Sequence, residues 1–166
     1  MLINKRAQGW GTDLIIGFII FILAILFFYN YSFNYSNETE EIIELLSYKG
    51  DYIGDSIMSE GTPIDWSEGN VQKIGILTEN KINQTKLEEF YNLVQTDYNS
   101  TKVIFNTKYD YYFFLTNPMN IGGGQVDGIG KPGVTKDTIN ATNLLRITRF
   151  TIYENKPVTA YIYVFE

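Results

Sequence analysis

The longest apolar stretch of the chain lies close to its N-terminus. Residues 14–29 read LIIGFIIFILAILFFY, and no charged residue occurs from Leu14 to Asn37. A helix crosses the hydrocarbon core of a bilayer with about 20 apolar residues, and Tyr31 and Phe33 suit the interfacial region that follows. A buried core helix would usually show a polar stripe, which is missing here. The pattern predicts a leader segment over residues 1–13, a transmembrane helix over 14–33 and a head domain over 34–166.

The pattern of apolar residues changes after the predicted membrane span. Residues 38–48 place isoleucine and leucine close to helical spacing, so the helix is predicted to continue or to restart there. Residues 85–88 (TKLE) have the spacing of a capping box and predict a short helix, with a second helical turn over residues 99–105. Residues 71–77 (VQKIGIL) predict a strand that Gly75 interrupts.

The last third of the chain is rich in residues that favour strands. Strands are predicted over residues 109–115, 144–153 and 158–165, and residues 154–157 (ENKP) favour a hairpin between the last two. Residues 117–133 contain GGG and KPG and predict a long flexible loop. The fold class predicted from these elements is α+β: a long N-terminal hydrophobic helix, short helices and an antiparallel sheet of three or four strands.

Charged residues on either side of the apolar stretch predict its direction in a membrane. Lys5 and Arg6 precede the stretch, whereas four glutamates follow it between residues 38 and 44. The positive-inside rule therefore places the N-terminus in the cytoplasm and the head outside the cell. Residues 27–31 (FFYNY) lack the small residues that a signal peptidase requires, so the segment is expected to remain as a single-pass anchor.

Composition restricts the chemistry that this chain is expected to perform. It contains no cysteine and no histidine, which removes disulfides, thiolate metal sites and the most common general base. The net charge of −6 is unfavourable for a nucleic-acid partner. Residues 122–124 (GGG) lack the Lys-Ser/Thr of a phosphate-binding loop, and Asp51 and Asp55 are not followed by a calcium-loop pattern. We therefore expect neither an enzyme, nor a cofactor, nor a metal site.

Six Asn-x-Ser/Thr triplets are candidates for N-glycosylation. Such triplets mark an exposed surface on the outside of a cell, although a sequence rich in asparagine also produces them by chance. The candidate asparagines are Asn30, Asn34, Asn37, Asn83, Asn99 and Asn140.

The residues ahead of the apolar stretch resemble the N-terminus of archaeal type IV pilin-like proteins. Residues 5–8 (KRAQ) match the basic, small and glutamine positions of a class III signal peptide, and residues 10–13 (WGTD) lead into the apolar run. The resemblance implies that a prepilin peptidase cuts between Ala7 and Gln8. It also implies that the apolar helix anchors the protein in the membrane before assembly and forms the filament core afterwards, beneath a β-rich head.

Two alternative roles are predicted for the Asp13 carboxylate. An acid near a helix N-terminus, at the water interface, is electrostatically favourable. The resemblance instead implies that Asp13 meets the new α-amino group of Gln8 on a neighbouring subunit. The family acid usually occupies the fifth mature position, which is Thr12 here, so Asp13 stands at the sixth.

Two functions follow from these expectations. The first is a pilin-like structural subunit, major or minor, of a cell-surface filament or a related assembly apparatus, with the membrane and other pilin-like subunits as partners. The alternative is a signal-anchored surface protein that does not polymerise and acts in binding or adhesion. An enzyme tethered to the membrane ranks behind both, because no constellation of catalytic residues supports it.

Overall fold

The computed structural model describes residues 6–166, with side chains described for residues 11–33 and 40–166. The chain divides into two units, Met1–Ile42 and Ile43–Glu166. The class is α+β, as the sequence predicts. The described residues form the α-helices α1 (Arg6–Ile57) and α2 (Gln84–Ile104). The strands are β1 (Leu77–Thr78), β2 (Lys81–Ile82), β3 (Asp110–Leu115), β4 (Met119–Ile121), β5 (Gly124–Val126), β6 (Ile129–Gly130), β7 (Leu144–Tyr153) and β8 (Lys156–Phe165).

The main sheet is larger than the sequence predicts. It has six strands in the order β1-β2-β7-β8-β3-β6, and β2 pairs with β7 in parallel while the other neighbours are antiparallel. The expectation of three or four antiparallel strands is therefore corrected to a mixed sheet of six. The additional strands β1, β2 and β6 have two residues each. Two residues are too few to display the alternation that identifies a strand in a sequence.

The hairpin between β7 and β8 confirms the sequence prediction at its turn. The two strands pair over ten residues each, and Glu154 and Asn155 connect them. Both turn residues have positive φ, 49° and 60°, which is the backbone of a two-residue type I′ turn. Residues 117–133, expected as a loop, instead contain a second hairpin, β4–β5. Gly122 and Gly123 form its turn with φ of 59° and 81°.

α1 contributes its last turns to the core of the head. Leu46, Ile53 and Ile57 are fully buried there. A Cβ on Gly50 would lie 3.0 Å from Ile147 Cγ1 of β7, so the glycine allows the helix to approach the sheet closely. A side chain larger than that of glycine at position 50 would therefore press against Ile147 of β7.

α2 packs on the same sheet through one aromatic residue. Phe90 is fully buried, and its ring centroid lies 6.3 Å from those of Phe105 and Phe113 and 6.4 Å from that of Tyr111. The helix begins at an N-cap, Asn83, and not at the predicted capping box of residues 85–88. The two helical segments predicted here lie within α2 on either side of a kink at Asp97, whose φ of −151° and ψ of 83° are not helical.

The strand predicted over residues 71–77 is wrong for most of its length, since β1 begins only at Leu77. Ile74 and Ile76 are nevertheless fully buried. Gly75 lies between them against the backbone of residues 59–61, and its carbonyl accepts a hydrogen bond from Trp66 Nε1 at 2.7 Å. Strand pairing in this segment before Leu77 is limited to an isolated antiparallel bridge between Lys73 and Thr62, and the residues around Gly75 pack closely against a loop.

Candidate functional site

The apolar part of α1 is the first candidate for a functional surface. The segment Gly11–Phe33 has 23 residues and is long and apolar enough, by length and composition, to cross a membrane; a signal sequence meets the same criteria. None of it is buried within the chain, and Leu14 and Phe27 are each 74% exposed. A helix of this character requires lipid or other apolar helices around it. This exposure of Gly11–Phe33 argues against the alternative interpretation of the segment as a buried core helix.

The residues of the pilin-like motif lie at the start of this helix. Ala7 and Gln8 belong to the first turns of α1, and their side chains fall outside the described part of the structure. Asp13 is exposed, close to the beginning of the apolar segment. Among the described residues of this chain, no cationic group forms an ion pair with Asp13.

The six candidate glycosylation asparagines occupy different environments. Asn99 on α2 and Asn140 in the loop before β7 are exposed. Asn83 is half-buried, and both ends of its amide are used: Oδ1 accepts from the Lys86 backbone N–H, and Nδ2 donates to Thr78 Oγ1, each at 3.2 Å. Asn30 lies in the apolar segment and donates to the Leu26 carbonyl. The side chains of the other two, Asn34 and Asn37, fall outside the described residues.

Two acids of α1 hold an arginine of β7. Arg149 Nη2 lies 2.9 Å from Asp51 Oδ1 and 3.0 Å from Asp55 Oδ1. The hydrogen bond to Asp51, helped by Asp55, raises the pKa of the Arg149 guanidinium. Among the described side chains, no group of three or more acids is arranged to hold a metal ion. Asp51 and Asp55 therefore serve to join the helix to the sheet.

Asp110, at the start of β3, is the centre of a second polar cluster. Its Oδ1 accepts from Lys102 Nζ at 2.9 Å and from the Tyr98 hydroxyl at 3.1 Å, and its Oδ2 lies 2.6 Å from Lys131 Nζ. Burial favours the neutral acid, but the bonds from Lys131 and Lys102 outweigh it and lower the pKa of Asp110. Burial raises the pKa of Tyr98. The cluster links α2, β3 and the residue after β6.

Lys86 is a buried cation that sequence reasoning missed. Its side chain is almost fully enclosed, and Nζ donates to the carbonyls of Glu60 at 2.8 Å and Leu77 at 3.0 Å. A buried ammonium must keep its hydrogen bonds, because leaving one unsatisfied costs free energy. The lysine thereby ties the start of α2 to the segments on both sides of Ile74 and Ile76. Nothing in the sequence distinguishes it from a surface lysine.

The outer edge of β7 is the remaining candidate surface. β7 pairs with β8 along its whole length, but among residues 6–166 its other side pairs only with β2, at Ile152. Phe150 on this strand is 83% exposed, which is unusual for a phenylalanine within a sheet. A cavity of about 270 Å³ lies at the start of the strand, lined by Ile43, Leu46, Thr142, Asn143, Leu144 and Leu145.

Comparison of the chain with protein-family models, with curated proteins and with solved structures gives no match.

Proposed function

We propose that this chain is a membrane-anchored, pilin-like subunit of a surface filament or a related assembly apparatus, with its N-terminus in the cytoplasm and its head outside the cell. The apolar part of α1 holds the subunit in the bilayer before assembly. In the assembled state the same residues pack against the corresponding helices of neighbouring subunits. Apolar helix surfaces exchange lipid contacts for helix contacts at little cost, because both surroundings are apolar.

The continuity of α1 is the observation that carries this proposal. One helix of 52 residues contains both the exposed apolar segment Gly11–Phe33 and the buried core residues Leu46, Ile53 and Ile57. A long helix that is apolar at its start and packs beneath a sheet at its end is the layout expected of a pilin-like subunit. The KRAQ motif at residues 5–8 lies immediately before the apolar segment and supports the same reading.

Processing of the N-terminus tests the proposal directly. The mass of the N-terminal peptide is measured on protein purified from membranes of the native host. We expect a mature start at Gln8, because the cut of a prepilin peptidase falls between Ala7 and Gln8 and leaves the apolar helix attached. A start at Met1 or Leu2 would contradict the pilin-like function and leave a signal-anchored protein.

Asp13 supplies a second test, of assembly rather than processing. In Asp13→Asn we expect filament yield to fall about tenfold, since a charged hydrogen bond in an apolar environment contributes roughly 1.5–3 kcal/mol. Membrane insertion should be unchanged, because Asp13 lies at the edge of the predicted span and the substitution leaves the apolar residues 14–33 as they are. Filaments sheared from cells are quantified against the membrane-bound pool, with Asp13→Glu as the control that keeps the charge. Equal yields of filament in all three proteins would remove Asp13 from the assembly mechanism.

The alternative function, a signal-anchored binding or adhesion protein that does not polymerise, is favoured by the unpaired edge of β7. A binding protein needs an accessible surface on its head, and this edge combines unpaired backbone with an exposed aromatic residue. Filament assembly uses α1 and binding uses the head, so the two functions are distinguished by whether the chain polymerises and not by whether its head binds a ligand.

A further inference from the structure

The edge of β7 between Leu144 and Phe150 has no neighbouring strand among the described residues. Strand β2 reaches β7 only at Ile152, by pairing with Lys81. On the open stretch, the Thr148 carbonyl accepts a hydrogen bond at 3.2 Å from Nη1 of the adjacent Arg149 side chain and not from another backbone. Alternate N–H and C=O groups of a strand point away from its partner, so an edge of seven residues offers a template about 23 Å long for another strand.

The side chains along this edge protect it only in part, at Thr148, whose carbonyl accepts the hydrogen bond from Arg149. Natural edge strands are commonly shielded by lysine, proline or a bulge. Residues 144–150 (LLRITRF) contain neither lysine nor proline, and their pairing with β8 is regular. On the outer face of the sheet Leu144, Arg146, Thr148 and Phe150 are all exposed. An added strand would cover Leu144 and Phe150, which are 46% and 83% exposed.

The cavity at the start of β7 gives an added strand a second kind of contact, through one of its side chains. Its apolar lining comes from Ile43 and Leu46 of α1 and from Leu144 and Leu145 of β7. Helix and strand thus border the same recess on the inner side of the edge. A strand that pairs with β7 places every second side chain on this inner side, where one apolar side chain fits the cavity.

The charge on the outer face of β7 indicates the second side chain that a bound segment carries. Arg146 is exposed, its Cζ lies 5.8 Å from the centroid of the Tyr161 ring, and no described carboxylate lies within 4 Å of its guanidinium. Two of the three arginines of this acidic chain are on β7, but the other, Arg149, is already held by Asp51 and Asp55. Arg146 is therefore the arginine of β7 that is available to a ligand.

We propose that the edge of β7 from Leu144 to Phe150 binds an extended segment of a partner protein, which adds a seventh strand to the sheet. The bound segment places an apolar side chain in the cavity beside Ile43 and Leu46. It places a carboxylate opposite Arg146, on the other face of the new strand. Backbone hydrogen bonds supply the affinity, and these two side-chain positions supply the selectivity.

A second copy of the chain is a poorer occupant of this edge. The described strands of a copy are already paired in the sheet or in the β4–β5 hairpin. Pairing of β7 with β7 of another copy would bring the two Arg146 side chains onto the same face, near each other and without a carboxylate. Like charges at such positions are unfavourable. The proposal does not depend on filament formation, because it uses the head and not the apolar part of α1.

The test uses the full chain in detergent micelles and a blocked peptide of seven residues in which valine alternates with glutamate. Binding is followed by the hydrogen exchange of the amides of residues 144–150. We expect the peptide to slow exchange of alternate amides in this stretch. A peptide with lysine in place of glutamate should bind about fivefold more weakly, and a peptide with proline at alternate positions should give no protection, because proline has no N–H to donate.

Variants of the protein decide whether the edge is responsible. Arg146→Glu should reverse the preference, so that the lysine peptide binds better than the glutamate peptide. Phe150→Ser should weaken binding, whereas Val103→Ser, which changes a residue of α2 that is 79% exposed, should leave it unchanged. Absence of protection at residues 144–150, an unchanged preference in Arg146→Glu, or protection that appears without peptide as protein concentration rises would each overturn the proposal. The last result would identify a second copy as the occupant.

Discussion

Phe90→Ala is expected to lower the free energy of unfolding of the head by about 4 kcal/mol. The side chain is completely buried and packs with the rings of Phe105, Tyr111 and Phe113. Alanine would leave a cavity between α2 and β3, because aromatic rings held by a sheet and a helix cannot collapse into the space. Thermal denaturation followed by near-UV circular dichroism should show a midpoint about 12 °C lower than that of the parent protein.

Phe150→Ala is the matched control for this prediction. The same atoms are removed, but Phe150 is 83% exposed, so the free energy of unfolding should change by less than about 0.5 kcal/mol. A loss of stability in this variant similar to that in Phe90→Ala would mean that Phe150 is covered in the free protein. That result would also argue against the open edge of β7. The pair of variants therefore tests the core and the proposed binding surface together.

Long elements of this fold were predictable from the sequence because their patterns extend over many residues. The apolar run of residues 14–29 stands out without any tertiary information, and β7 and β8 are read from ten residues of strand-forming sequence and a turn. The mixed character of the sheet was not predictable. It depends on β2, two residues whose parallel pairing with β7 is set by tertiary contacts. Such pairing leaves no periodic signal.

The candidate surfaces were less predictable than the fold. The sequence suggested for Asp51 and Asp55 only the spacing of calcium-loop residues without the rest of the pattern, whereas the structure pairs both with Arg149, 94 to 98 residues further along the chain. Phe150 belongs to an alternating strand pattern in which an aromatic residue is ordinarily read as core. Its exposure follows from its place on the outer face of the sheet, together with Arg146 and Thr148, and which face of a strand is covered depends on tertiary packing that a single sequence does not encode locally.

Gly75→Ala is expected to destabilise the head by about 3 kcal/mol through overpacking. A Cβ at this position would overlap the backbone nitrogen of Gly61 and lie 2.5 Å from the Ser59 carbonyl oxygen. Backbone atoms cannot rotate away as a side chain would, so the loop of residues 59–61 must shift. That shift would disturb the Glu60 carbonyl, which accepts a hydrogen bond from the buried Lys86. The expected loss is therefore larger than that of a glycine replaced in an open turn.

Gly69→Ala separates this packing effect from the effect of glycine on the unfolded chain. A Cβ on Gly69 would have no atom within 4 Å, so alanine there should leave the head as stable as before or stabilise it by a few tenths of a kcal/mol. Urea denaturation of both variants in the same micelles measures the difference. Equal stabilities would show that residues 59–61 are not packed against Gly75. A large difference would instead establish that the buried segment around Ile74 and Ile76 is fixed by contact with this loop, which explains why an apolar sequence in this part of the chain does not form a strand.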